Sequence, residues 1–129
     1  MGENYAGKMG LKDYPKRGEI YLVSLDPTVG SEISKTRPAL VISNDINNQF
    51  AETVTVIPIT SGLEKVYPFE TLLSSGEGGL TKKSKAKCNQ VRTISKIRLV
   101  RFIGQLDISR LNEIEKALLI HLGMNSDKI

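Results

Sequence analysis

Three short apolar runs, GEIYLVSL at 18–25, PALVIS at 38–43 and TVTVIPI at 53–59, follow one another with no helix-length segment between them. Val, Ile and Leu fill each run, and Pro, Asn, Asp, Ser or Gly ends it, which is the composition and punctuation of β-strands. The connections are too short to carry a helical crossover back to a parallel neighbour, so the sheet has to be mainly antiparallel. FETLL (69–73), CNQVR (88–92) and VRFIGQL (100–106) extend the pattern, and the glycine-rich SSGEGG (74–79) marks a turn between the first two. NDINNQF (44–50) reads as a loop or a single helical turn.

The period changes near the end of the chain. Leu111, Ile114, Leu118 and Leu122 recur at steps of three and four, Ser109 is placed to cap, and Gly123 to terminate. This predicts one amphipathic helix packed across an open side of a curled antiparallel sheet, a mainly β (α+β) fold. With 129 residues, 40% of them hydrophobic, the chain has material for one core and not for two. Residues 17–124 are expected to form that domain, with 1–16 an appended N-terminal extension of little periodicity and 125–129 a C-terminal tail.

The net charge of +4 is modest, but the acidic residues leave a gap between Glu77 and Asp107 that holds Lys82, Lys83, Lys85, Lys87, Arg92, Lys96, Arg98 and Arg101. Such a stretch attracts polyanions, and nucleic acid is the first partner it suggests, although the lysines at 82–87 taken alone read as a solvated loop. No apolar run approaches the roughly 20 residues of a membrane span. The N-terminus lacks the apolar core of a secretory signal, and the single cysteine, Cys88, has no partner within the chain for a disulfide, so a reducing cytoplasm is expected.

Most catalytic sets are missing. One histidine, His121, excludes a two-histidine acid–base pair within one chain, and Cys88 has no His or Cys at ligand spacing, so neither a bound metal nor another cofactor is expected. SSGEGGL lacks the Lys-Ser/Thr of a phosphate-cradling loop. What remains is a set of arginines and hydroxyls at strand ends: Arg37 opening one strand, Thr60 and Ser61 closing the next, and Gln90, Arg92 and Thr93 near another. A guanidinium stays protonated and offers a planar fork to two phosphate oxygens, while a threonine hydroxyl donates and accepts. That pairing suits a phosphodiester.

RGEIYLVSLDPTVGSE (17–32), RPALVIS (37–43), VIPIT (56–60), YPFE (67–70) and NQVRTI (89–94), taken in order, resemble the MazF/PemK toxins of bacterial type II toxin–antitoxin pairs. The resemblance implies a small SH3-like barrel with a C-terminal helix, a homodimer, and a metal-independent endoribonuclease that cuts single-stranded RNA and leaves a 2′,3′-cyclic phosphate and a 5′-hydroxyl. It also implies a cognate antitoxin with an acidic, partly disordered segment. Carried over by position, Arg37 and Thr60 are catalytic, and Ser31, Glu32, Lys35, Ser61, Gln90 and Arg92 fall where substrate is contacted.

The chain departs from the family pattern in two places. It carries Ile33-Ser34-Lys35 where glycines are common, and Lys87 and Asn89 where some members have an arginine and an aspartate. Asn89 is no base, so the acceptor of the 2′-hydroxyl proton is left unassigned: Glu32 is a candidate by position, and Arg37 would need a pKa lowered from a reference value above about 12. The alternatives are a CcdB-like toxin that binds DNA gyrase without cutting, or an RNA-binding module without cleavage.

Overall fold

The computed structural model describes residues 13–62 and 65–124. Among these, the chain runs through β1 (Glu19–Ser24), β2 (Thr36–Val41), α1 (Asp45–Phe50), β3 (Thr53–Thr60), β4 (Glu70–Leu73), β5 (Ser84–Lys87), β6 (Arg92–Ser95), β7 (Leu99–Gln105) and α2 (Ile108–Leu122). Every pairing is antiparallel, in the order β4-β5-β3-β2-β1-β7, with β6 alongside the first half of β3. The sheet is the expected one, curled but open: its path ends at β4 and β7. The expected extension, apart from residues 13–16, and the tail at 125–129 lie outside the described residues.

Side chains alternate along a strand, and here each face has its own core. Ile20, Leu40, Ile57 and Ile59 join Leu111, Ile114 and Ala117 of α2 in one cluster, while Tyr21, Val23, Ala39, Val41, Val54 and Val56 meet Ile94 and Leu99 in the other. Each fully buried Ile or Leu contributes about 1.5–3 kcal/mol. β3 is the hinge of the arrangement. Its first half, Thr53–Val56, pairs with β6 and its end, Ile59–Thr60, with β5. Pro58, which has no N–H to give, falls where the partner changes.

Three expectations need correction. The strand expected at 88–92 is a 3-10 turn over Cys88–Gln90, flanked by β5 and β6. The helix cap is Asp107, not Ser109: Asp107 Oδ1 accepts the Arg110 N–H at 2.9 Å, and the Ser109 hydroxyl donates to the same oxygen at 2.7 Å. A carboxylate at that position also meets the positive end of the helix. Leu122 is half exposed, because the apolar face of α2 runs through Leu111, Ile114 and Ala117 instead. Gly123, in the left-handed region at φ 71°, does stop the helix.

Two tertiary ties complete the frame. Arg110 of α2 grips Glu77 of the glycine-rich turn through Nε and Nη2, both at 2.9 Å, a two-pronged pair that holds the Glu77 carboxyl below its ordinary range. That turn lies directly on β7. A Cβ at Gly79 would collide with the Ile103 carbonyl, and one at Gly104 with the Gly78 carbonyl, so only glycine permits the contact. Arg17 secures the start of the domain: its backbone N–H reaches Asp45 Oδ1 at 2.7 Å, Nε reaches the Ile42 carbonyl at 3.0 Å, and Nη2 reaches Glu115 Oε2 at 2.6 Å.

Candidate active site

The β2 strand opens with Thr36 and Arg37, and proline at 38 confines Arg37 to extended backbone. β2 and β3 pair as Ala39 with Pro58, Leu40 with Ile57 and Val41 with Val56. Continued two residues, that register sets Arg37 across from Thr60, at facing ends of adjacent strands. Arg37 Nε donates to the Ser34 carbonyl at 2.8 Å, and among the described residues its two terminal nitrogens have no protein partner. The guanidinium is therefore aimed by one hydrogen bond with its fork left over. Thr60 Oγ1 accepts the Gly62 N–H at 3.3 Å, which leaves its own O–H free to donate.

Arg37 lines a cavity of about 330 Å³. Leu22, Ile59, Leu80 and Ile103 supply apolar surface; Thr36, Ser61, Thr81 and Ser84 supply hydroxyls; Lys82 and Arg101 supply two more cations, and among the described residues no carboxylate lines it. Ser61 lines the same cavity as Arg37. Thr60 is not among the lining residues and approaches only through the facing strand end.

The other expected substrate residues lie on or against the β1–β2 loop. Ser31, Glu32 and Lys35 are exposed. Glu32 Oε1 accepts the Val29 N–H at 2.6 Å, so one of its oxygens shapes the loop. The Lys35 N–H reaches Asp26 Oδ1 at 3.0 Å, and Lys35 holds φ 72°, a conformation that glycine adopts without cost. Gln90 and Arg92 face the same loop: Gln90 Oε1 accepts the Ile33 N–H at 3.4 Å, and Arg92 Nη1 donates to the Leu25 carbonyl at 3.1 Å. Arg98, which sequence reasoning did not single out, donates through Nη1 to the carbonyls of Ser24 at 3.1 Å and Asp26 at 2.5 Å. Three side chains from 88–98 therefore clamp the loop whose Ser34 carbonyl aims Arg37.

The basic stretch is divided. Glu70, the acid of YPFE, has a fully buried carboxylate that accepts the Tyr67 N–H at 3.0 Å and pairs with Lys85 and Lys87 at 3.2 Å each. Burial pushes its pKa upward, but the Tyr67 amide and the two lysines outweigh this and hold it below the ordinary value. Lys85 also donates to the Lys65 carbonyl at 2.5 Å and is the cross-strand partner of Thr60, so this buried cluster fixes the strand end that carries the hydroxyl. Lys87 is thereby a structural cation. Asn89 Oδ1 is buried without a hydrogen-bond donor among the described residues.

The remaining candidates are inert. Burial, helped by the Glu70 charge, drives the Cys88 thiol up to about 12, so it carries no thiolate at neutral pH. His121 is exposed on α2, its ring 6.5 Å from that of Phe69. Among the described residues, no three His, Cys, Asp or Glu side chains gather as a metal would require. No helix there is long and apolar enough to cross a membrane.

A small open antiparallel sheet, one helix across it and a cavity lined by three cations at the strand mouths define a class of compact polyanion-binding β-domains. Comparison narrows the class: the profile of the PemK-like, MazF-like toxins of type II toxin–antitoxin systems matches residues 16–122, and the chain belongs to that family. It is 44% identical over 114 residues to endoribonuclease MazF9 of Mycobacterium tuberculosis, covering 84% of this chain and 97% of that one. With endoribonuclease EndoA of Bacillus subtilis it shares 38% over 110 residues, 84% of this chain and 95% of the relative. The crystal structure of Deinococcus radiodurans MazF superposes with a TM-score of 0.76 at 26% identity, covering 86% of this chain and 98% of that one. An endoribonuclease solved with its cognate antitoxin from a mycobacterial species shares the fold at a TM-score of 0.73 and 22% identity, covering 86% of this chain and 97% of the other.

Proposed function

We propose that this chain is a toxin endoribonuclease that cuts single-stranded RNA at short sequences without a metal. The carrying observation is Arg37: a permanently charged fork at a strand mouth, aimed by the Ser34 carbonyl and otherwise unpartnered among the described residues, with Thr60 placed across from it only by extending the β2–β3 register. The named endoribonucleases MazF9 and EndoA, at 44% and 38% identity, support the reading.

The chemistry asks little of the protein, because RNA carries its own nucleophile. The 2′-hydroxyl gives up its proton and its oxygen attacks the adjacent phosphorus, the bond from phosphorus to the 5′-oxygen breaks, and the leaving 5′-oxygen takes a proton from solvent, so the products are a 2′,3′-cyclic phosphate and a 5′-hydroxyl. Tethering supplies proximity, so the enzyme has to provide alignment and charge stabilisation. The Arg37 terminal nitrogens hold the non-bridging oxygens as charge builds at five-coordinate phosphorus, and the Thr60 O–H donates to the same phosphate. The proton acceptor falls by position to Glu32, whose Oε2 is left once Oε1 has taken the Val29 amide. Ser31, Lys35, Ser61, Gln90 and Arg92 complete the groove, the last two through the loop they hold.

The toxin acts in the cytoplasm as a homodimer and is neutralised by an antitoxin with an acidic, partly disordered segment. Exposed Ile46 and Phe50 on α1 offer apolar surface for self-association, and structures of relatives with their antitoxins support the protein partner.

The test is digestion of a single-stranded RNA by the purified protein in EDTA, with analysis of the new ends. Cyclic phosphate and 5′-hydroxyl ends are expected, and Arg37→Ala should lower their rate of appearance about 100- to 1,000-fold. Cleavage only on addition of a divalent ion, or intact RNA together with inhibition of gyrase, would overturn the reading.

A further inference from the structure

We propose that Lys82 and Arg101 form a backbone-phosphate subsite beside Arg37 that seats a phosphodiester flanking the scissile one in bound single-stranded RNA. The inference deepens the ribonuclease reading and rests on it.

The argument starts from how the basic stretch spends its charge. Lys85 and Lys87 are paired with Glu70, Arg92 and Arg98 donate to loop carbonyls, and Lys96 is buried. Among the described residues, the side chains of Lys82, Lys83 and Arg101 take no hydrogen bond or ion pair. Two of these three line the cavity that also holds Arg37, and among the described residues no acid lines it to neutralise them. Solvated cations left over by folding would scatter over the surface, whereas these converge.

The frame sets their spacing. Arg101 pairs with Leu22 of β1, and Leu22 pairs with Pro38 of β2, so Arg101 stands two strands from the residue next to Arg37. Two strand spacings amount to about 10 Å, which long arginine and lysine side chains close to the separation of neighbouring phosphates. Lys82 also lines the cavity, three residues after Gly79, which seats its turn against Ile103. At about 330 Å³ the cavity takes one nucleotide, and Leu22, Ile59 and Leu80 offer its unstacked base an apolar surface. Cations at the rim with an apolar floor fit a nucleotide better than the carboxylates of an acidic peptide, which need only the cations.

The experiment measures binding rather than cleavage, so that it survives failure of the catalytic reading. A fluorescent single-stranded RNA made uncleavable by 2′-O-methylation is titrated with the full chain at several salt concentrations. For wild type, log K falls linearly with log salt; Lys82→Ala and Arg101→Ala should each make that slope shallower by about 0.7, the value for one lost phosphate contact on a single strand. The weakening should be the same for RNAs of different sequence. Arg101→Lys should keep the slope and thereby separate loss of charge from loss of fold, and Lys83→Ala, outside the cavity, should leave it unchanged.

Wild-type slopes in both alanine variants would overturn the subsite while leaving the ribonuclease intact. So would variants that bind RNA normally but lose capture of the antitoxin. Slope changes as expected in a protein that never cuts RNA would support the subsite and overturn the catalytic assignment instead.

Discussion

The chain gathers cations in two places, and it treats them in opposite ways. Around Glu70, two lysines and a backbone amide enclose one carboxylate, and every charge is answered within the fold. Around Arg37, three cations share one cavity with no acid among the described residues. Lys82 and Lys85 are three positions apart in the sequence yet lie on opposite sides of this divide. A count of charges along the chain therefore measures attraction poorly. What attracts a polyanion is the charge that folding leaves unanswered.

The sharpest way to break the contrast is to unbalance the paired side. Glu70→Gln keeps the shape but leaves Lys85 buried without its counter-ion, and a loss of about 3–5 kcal/mol is expected from denaturant unfolding. The same pair sets an acid limit. The folded pKa values of Glu70 and Glu77 lie below the ordinary 4.5, so their stabilisation is complete above that value and drains away as pH falls through the lower folded ones. Wild type should lose stability steeply on acidification below 4.5, and Glu77→Gln should flatten that slope.

On the unanswered side the largest effect should appear in rate rather than stability. Arg37→Ala and Thr60→Ala should each lower RNA cleavage about 100- to 1,000-fold, equivalent to roughly 3–4 kcal/mol in the barrier. Their denaturant midpoints should stay near wild type, and unfolding at equal RNA-cutting activity would reverse the two assignments.

Between the extremes stands Arg98, a cation answered only by carbonyls. Arg98→Ala removes the donor to Ser24 and Asp26, worth about 1.5–3 kcal/mol, and should speed amide hydrogen exchange across 25–36 while lowering kcat through the loosened Ser34 carbonyl. Unchanged exchange there would show that Gln90 and Arg92 suffice. The smallest effect is expected at Lys35. Relief of its left-handed backbone, offset by the greater freedom of unfolded glycine, should make Lys35→Gly more stable by about 0.5–1 kcal/mol in thermal denaturation.

The parts of the molecule that were readable from the chain are those decided locally. β1, β2, β3 and α2 announce themselves by period and punctuation, and Arg37 by its place before Pro38. β5 does not, because Ser84-Lys-Ala-Lys87 has no β-branched residue and is held by Glu70, a partner more than ten positions away. The true cap, Asp107, was passed over for Ser109 since both types cap well and only geometry decides between them. The loop contacts of Gln90 and Arg92 were hidden for the same reason: their partners, the Ile33 N–H and the Leu25 carbonyl, are brought near by the sheet and by nothing in the local sequence.

The glycine seam between the 76–79 turn and β7 bears on how this nuclease could diversify. Gly79, which lines the cavity, and Gly104 beneath it would each drive a Cβ into backbone, so the wall at Gly79 is closed to mutation while the fold is kept. Variation in what the cavity accepts is channelled into its rim, at Thr81, Lys82 and Arg101, where a new side chain meets solvent instead of backbone.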